Sequence, residues 1–183
     1  MTFAELLADV IDRLDRADIP YMITGSLAST FHGEPRATRD VDIVIDPTPD
    51  GLDRLVDDLR AGGFYVDRDA ADDALRDRGQ FNAIGDAAAK VDFIIRRDRP
   101  FSVSEFGRRR EVELLGSRGF IASVEDVILA KLEWAAETDS ERQIRDVAGM
   151  VAVSGDALDA AYLTAWAERL GLEAALLRVI GEI

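Results

Sequence analysis

Two aspartates, Asp40 and Asp42, interrupt a run of apolar, mostly β-branched residues, Val41, Ile43, Val44 and Ile45, that otherwise belongs in a core. On a strand, residues i and i+2 project from the same face, so the two carboxylates stand side by side. Such a pair repels itself and is costly to desolvate unless a cation compensates. The spacing alone fits equally well a strand whose exposed start uses both side chains to satisfy backbone groups. A second apolar run, Lys90-Val91-Asp92-Phe93-Ile94-Ile95, carries one more acid. If it lies beside the first, Asp40, Asp42 and Asp92 converge as a donor set for divalent ions. Oxygen ligands without His or Cys suit Mg²⁺ or Mn²⁺ rather than zinc. Separated from Asp40 by thirteen residues is the pair Gly25-Ser26, at a turn from a short apolar strand into a helix. Glycine lets a backbone approach a phosphate, serine adds a hydroxyl, and the helix offers its first N–H groups. Phosphate cradle and metal-binding carboxylates together imply nucleotide chemistry.

The elements that must position these groups follow from periodicity. Residues 3–17 place Phe3, Leu6, Leu7, Val10, Ile11 and Leu14 at helical spacing behind Thr2, with Glu5 completing a capping pattern. Strands are expected at 21–24, 41–45 (with Asp40 and Asp42 set into its start), 64–66, 80–84 and 90–95, the last two joined by a Gly85-Asp86 turn. Shorter strands surround Gly116, at 111–115 and 120–122. Helices are expected at 27–32, from Leu52 to Leu59 and weakly in the charged segment 68–78. From Ser123 the pattern is helical throughout: 124–136, 140–152, 157–169 and 172–181. The expected fold is α/β: a small mixed sheet with flanking helices over residues 1–122, followed by a C-terminal helical bundle over 123–183.

Composition bounds the partners. The chain has 183 residues, no cysteine and one histidine, His32, which excludes disulfides, thiol catalysis and a His-rich metal site. No apolar run approaches a membrane span, and no signal-peptide pattern opens the chain, so a cytoplasmic protein without membrane partners is expected. A net charge of −14 disfavours general nucleic-acid binding. Seven arginines between Arg96 and Arg118, against Asp98, Glu105, Glu111 and Glu113, leave a local balance of +3. Such a strip reads as a solvated hairpin edge or as a local seat for a phosphorylated ligand.

Thr24-Gly25-Ser26, the thirteen-residue interval and Asp40-Val41-Asp42-Ile43 resemble the signature of the DNA-polymerase-β-like nucleotidyltransferase superfamily. The flanking Arg36-Ala37-Thr38-Arg39 is similar to that of minimal bacterial members. Residues 125–135 and 140–147 look like the AbiEii-type toxin nucleotidyltransferases of type IV toxin–antitoxin systems. That resemblance implies transfer of a nucleoside monophosphate from a nucleoside triphosphate to a hydroxyl acceptor, with Mg²⁺ or Mn²⁺. It implies that Asp40, Asp42 and Asp92 hold the metals, and that Asp92 helps deprotonate the acceptor. Gly25 and Ser26 would hold phosphates, Arg39 and Arg145 would bind substrate, Lys131 would neutralise phosphate charge, and Asp146 would orient Lys131 or the ligand.

Each assignment has an ordinary counterpart. Lys131 fits a lysine whose stem covers a helix–helix contact, Arg145-Asp146 a surface pair, and His32 a structural role. Acceptors in related proteins are tRNA 3′ ends, proteins or aminoglycosides, and a toxin implies a cognate antitoxin. Two other readings stay open: a non-catalytic nucleotidyltransferase-fold module, and a sugar-nucleotide glycosyltransferase whose DxD binds a metal. The position of Gly25-Ser26 weakens the second.

Overall fold

A computed structural model describes residues 1–35, 38, 40–85 and 89–181. Arg39, expected to bind substrate, lies outside the described residues, as do Arg36 and Asp86. Contacts divide the chain into two compact units, one of Met1–Leu27 with Thr38–Ile121, the other of Ala28–Ala37 with Ala122–Ile183. The second unit thus takes in a stretch that a single cut at residue 122 assigns to the first.

The first unit is built on a seven-stranded mixed sheet. Its strands are β1 (Tyr21–Thr24), β2 (Asp40–Ile45), β3 (Tyr65–Val66), β4 (Gln80–Ile84), β5 (Lys90–Ile95), β6 (Arg110–Leu114) and β7 (Ser117–Ile121), in the order β3-β4-β5-β2-β1-β7-β6. β2 is central, antiparallel to β1 and parallel to β5, with Asp42 level with Asp92 and Asp40 level with Lys90. Alternation then sorts the side chains. Val41, Ile43 and Ile45, with Val91, Phe93 and Ile95, are fully buried on one face. Asp40, Asp42, Lys90 and Asp92 share the other.

Helix α1 (Phe3–Arg16) starts at the capping box expected of Thr2 and Glu5 and buries Leu6, Leu7, Val10, Ile11 and Leu14. Helix α3 (Pro49–Ala61) begins behind Thr48, whose hydroxyl accepts from Gly51, and buries Leu52, Leu55, Val56 and Leu59. The charged segment after β3 forms α4 (Arg68–Asp77), capped by Asp67.

The basic strip is not a continuous hairpin edge. It contains a helix, α5 (Pro100–Gly107), that buries Phe101, Ser102, Glu105 and Phe106. Several of its arginines are consumed locally. Arg96 pairs with Asp46 at 2.9 Å and with Asp98 at 3.2 Å. Arg109 lies over the rings of Phe106 and Phe120.

Helix α2 (Gly25–His32) starts two residues earlier than periodicity suggests and carries the chain into the second unit. There it is followed by α6 (Val124–Thr138), α7 (Glu141–Ser154), α8 (Ala160–Leu170) and α9 (Glu173–Ile180), the helical series expected. Asp126, fully buried on α6, accepts from Ser123 Oγ at 2.6 Å and from the Tyr162 hydroxyl of α8 at 2.6 Å. Glu125 accepts from the Asp159 N–H at 3.1 Å. These bonds fix α8 against α6 and satisfy carboxylates that would otherwise be costly to bury. Among the described residues no helix is long and apolar enough to cross a membrane.

Candidate active site

In the sheet unit the turn and the acids form one feature. β1 passes into α2 through Gly25, whose φ of +63° lies in the left-handed region that glycine enters at little cost. A Cβ there would fall 2.0 Å from Asp42 Oδ2. No other residue fits without moving that carboxylate. The Ser26 N–H points at the same oxygen across 3.4 Å, so Asp42 sits at the positive end of α2, where a carboxylate is favoured. The expected neighbourhood of Gly25, Ser26 and Asp42 is therefore present, with the carboxylate itself facing the first turn of the helix.

The expected pairing of the two acid-bearing strands is also present. Asp42 and Asp92 are level on parallel neighbours, Asp40 stands two residues before Asp42, and all three share one face. Sequence reasoning missed the group that accompanies them. The Lys90 ammonium donates to Asp92 Oδ2 at 2.7 Å. That hydrogen bond holds the lysine above its ordinary value; the charges of Asp92, Asp40 and Asp42 add to it, and partial burial opposes it. Lys90 thus feels all three carboxylates. Its signal was available: residues 90 and 92 alternate onto one face as surely as 40 and 42 do.

Among the described residues no group of three or more carboxylate or histidine side chains is arranged to hold a metal ion. The donor types still suit one. Three hard carboxylates on one open face, in a chain without cysteine, are the ligands Mg²⁺ and Mn²⁺ prefer. The cation beside Asp92 is a lysine.

The helical unit gathers the other expected residues. Lys131 of α6 is only 6% exposed, and its Nζ donates to Asp146 Oδ2 at 2.8 Å and to Gln143 Oε1 at 2.7 Å, both on α7. A lysine merely covering a helix contact would carry its head to solvent; this head is drawn inward and held. Gln143 also escaped sequence reasoning, although it lies three residues before Asp146 and therefore on the same helical face. Arg145 does not join that cluster. It is exposed and lines a cavity of about 390 Å³ with Ser29, Thr30, Glu34, Arg142 and Asp146. His32 Nε2 lies 2.8 Å from the Ala122 carbonyl, which ties the end of α2 to the start of the helical series, as its structural reading requires.

No family model matches the chain, and no curated protein does. Solved structures do. The antibiotic-resistance factor ANT(2'')-Ia superposes with a TM-score of 0.63 at 16% identity, covering 98% of this chain and 97% of that one. An antigenic nucleotidyltransferase-like protein from Paracoccidioides brasiliensis gives 0.61 at 16% identity, covering 97% and 91%. The lincomycin-bound lincosamide antibiotic adenylyltransferase LnuA gives 0.58 at 12%, covering 84% and 98%. The chain has the nucleotidyltransferase fold.

Proposed function

We propose that this protein moves a nucleoside monophosphate from a nucleoside triphosphate to a hydroxyl acceptor with the help of Mg²⁺ or Mn²⁺. The observation that carries the reading is the level, parallel placement of Asp42 and Asp92 beside the Gly25 turn. The acids stand side by side on the sheet face opposite the buried one, and in this chain a left-handed glycine leaves room for Asp42 there. Its nucleotidyltransferase fold supports the same reaction class.

In this reading Asp40, Asp42 and Asp92 hold the divalent ions, which when bound screen the triphosphate and acidify the acceptor hydroxyl. Asp92 receives the proton as the acceptor oxygen bonds to the α-phosphorus, the bond to the bridging oxygen breaks and pyrophosphate leaves. Gly25 and Ser26 lie against the β- and γ-phosphates. Lys131, aimed by Asp146 and Gln143, offsets phosphate charge, and Arg39 and Arg145 bind substrate. The 125–135 and 140–147 segments favour the AbiEii-type branch, with a tRNA 3′ end or a protein as acceptor and a cognate antitoxin as partner.

One observation favours a second reading. An ammonium already paired with Asp92 suits a non-catalytic module that keeps the fold for binding.

The test is label transfer from each α-³²P nucleoside triphosphate, with Mg²⁺, into lysate RNA, lysate protein, lincomycin and tobramycin. An acceptor labelled by wild type and lost in Asp40→Ala/Asp42→Ala supports the reaction and identifies its acceptor class. No label in any arm supports the non-catalytic module.

A further inference from the structure

Lys90 is surrounded by acids on its own and the neighbouring strand: Asp92 two residues along β5, and Asp40 level with it on β2 with Asp42 beyond. A strand lysine kept for solubility extends its ammonium into water. This one is part-buried and bends back onto Asp92 at 2.7 Å. Three carboxylates on one face repel each other, and the Lys90 ammonium beside Asp92 offsets part of that repulsion. A flexible four-carbon stem also lets that charge leave without moving the backbone.

We infer that Lys90 is the resident counter-ion of this acidic face, and that a divalent cation binds the three aspartates by displacing its ammonium from Asp92. The inference rests on the metal-dependent reading above and adds a residue to it: metal binding here is an exchange of cations. The lysine therefore weakens the metal. Replacing it with an uncharged side chain leaves the carboxylates unchanged, removes a competitor and removes the repulsion between ammonium and metal. The pair is partly buried, so its loss together with that repulsion corresponds to about a tenfold gain in metal affinity.

The experiment titrates Mn²⁺ into wild type, Lys90→Met, Lys90→Gln, Lys90→Arg and Asp92→Asn, following free Mn²⁺ by electron paramagnetic resonance and the melting temperature in parallel. Lys90→Met should bind Mn²⁺ about tenfold more tightly than wild type. In EDTA it should melt lower, and with Mn²⁺ its melting temperature should rise by more than that of wild type. Lys90→Gln should follow Lys90→Met, and serves in its place if Lys90→Met does not fold. Lys90→Arg keeps the charge and should stay close to wild type, and Asp92→Asn should lose the ion. Equal or weaker binding by the uncharged variants, with wild type binding normally, overturns the counter-ion role and leaves metal dependence standing. Failure of wild type and Lys90→Met alike to bind millimolar Mn²⁺ overturns both.

Discussion

The tightest constraint on the acidic face is the missing Cβ at Gly25, and its size can be worked out. Gly25→Ala incurs two penalties. Placing an alanine at a φ of +63° costs about 1 kcal/mol. The new Cβ would then stand 2.0 Å from Asp42 Oδ2, 2.6 Å from its Cγ and 2.8 Å from its Cβ, which is a collision with the whole side chain. Overpacking of that kind costs about 1–3 kcal/mol as neighbours shift. The total is about 2–4 kcal/mol. Gly171 isolates the first penalty, since its φ is +69° and nothing lies within 4 Å of a Cβ built there. Gly171→Ala should therefore cost only about 1 kcal/mol. Urea unfolding followed by circular dichroism measures both, and Asp42→Ala closes a double-mutant cycle. In that background two of the three colliding atoms are gone, and the cost of Gly25→Ala should fall toward that of Gly171→Ala. The reasoning is refuted if Gly25→Ala lies within about 0.5 kcal/mol of Gly171→Ala, or if removing the Asp42 carboxylate leaves its cost unchanged.

Two further outcomes follow from buried polar groups. Asp146→Ala leaves the Lys131 ammonium buried with its carboxylate removed, and should lower stability by about 2–3 kcal/mol in urea, while Asp146→Asn, which keeps a hydrogen-bond acceptor, should lose less. Tyr21 is pushed up to about 12, chiefly by burial, with the charges of Asp15, Glu111 and Asp12 adding. Its folded state therefore holds the proton after the unfolded chain, near 10, has released it, so stability is full below pH 10 and declines as pH rises toward 12. The difference in urea midpoint between pH 9 and 11.5 should be smaller in Tyr21→Phe than in wild type; equal slopes would show that the phenol does not contribute.

How far the sequence could be read depended on whether the signal was local. The acids of β2 and β5 were legible because strand alternation is local, and so were the α1 capping box and the C-terminal helices. The register that sets Asp42 level with Asp92, and Asp40 level with Lys90, is a contact between distant segments, so it could not be read locally; Lys90 itself, two residues from Asp92 on one strand face, carried a local signal that the acids overshadowed. Helix α5 was hidden for a different reason. It has eight residues and Arg99 gives it no side-chain cap, so the arginine run masked it and only Pro100 in its first turn marked the start. Gln143 was overlooked because Arg145-Asp146 drew attention as a dipeptide, whereas a helix presents residues 143 and 146 together. The division of the chain was equally opaque, since Ala28–Ala37 joins partners that arrive far later.

That late arrival bears on synthesis. β1 has β2 on one side and takes its other neighbour, β7, only at Ile121, while His32 waits ninety residues for the Ala122 carbonyl. A chain growing from the ribosome therefore carries its glycine turn and first aspartates for most of translation with one flank of β1 uncovered and the end of α2 unanchored. Such contacts close slowly, because long loops must be ordered first. Nascent chains stalled before residue 121 should thus be protease-sensitive around 21–33. A single cut near 122 cannot release the second unit intact, because Ala28–Ala37 lies before that break and Ala122–Ile183 after it.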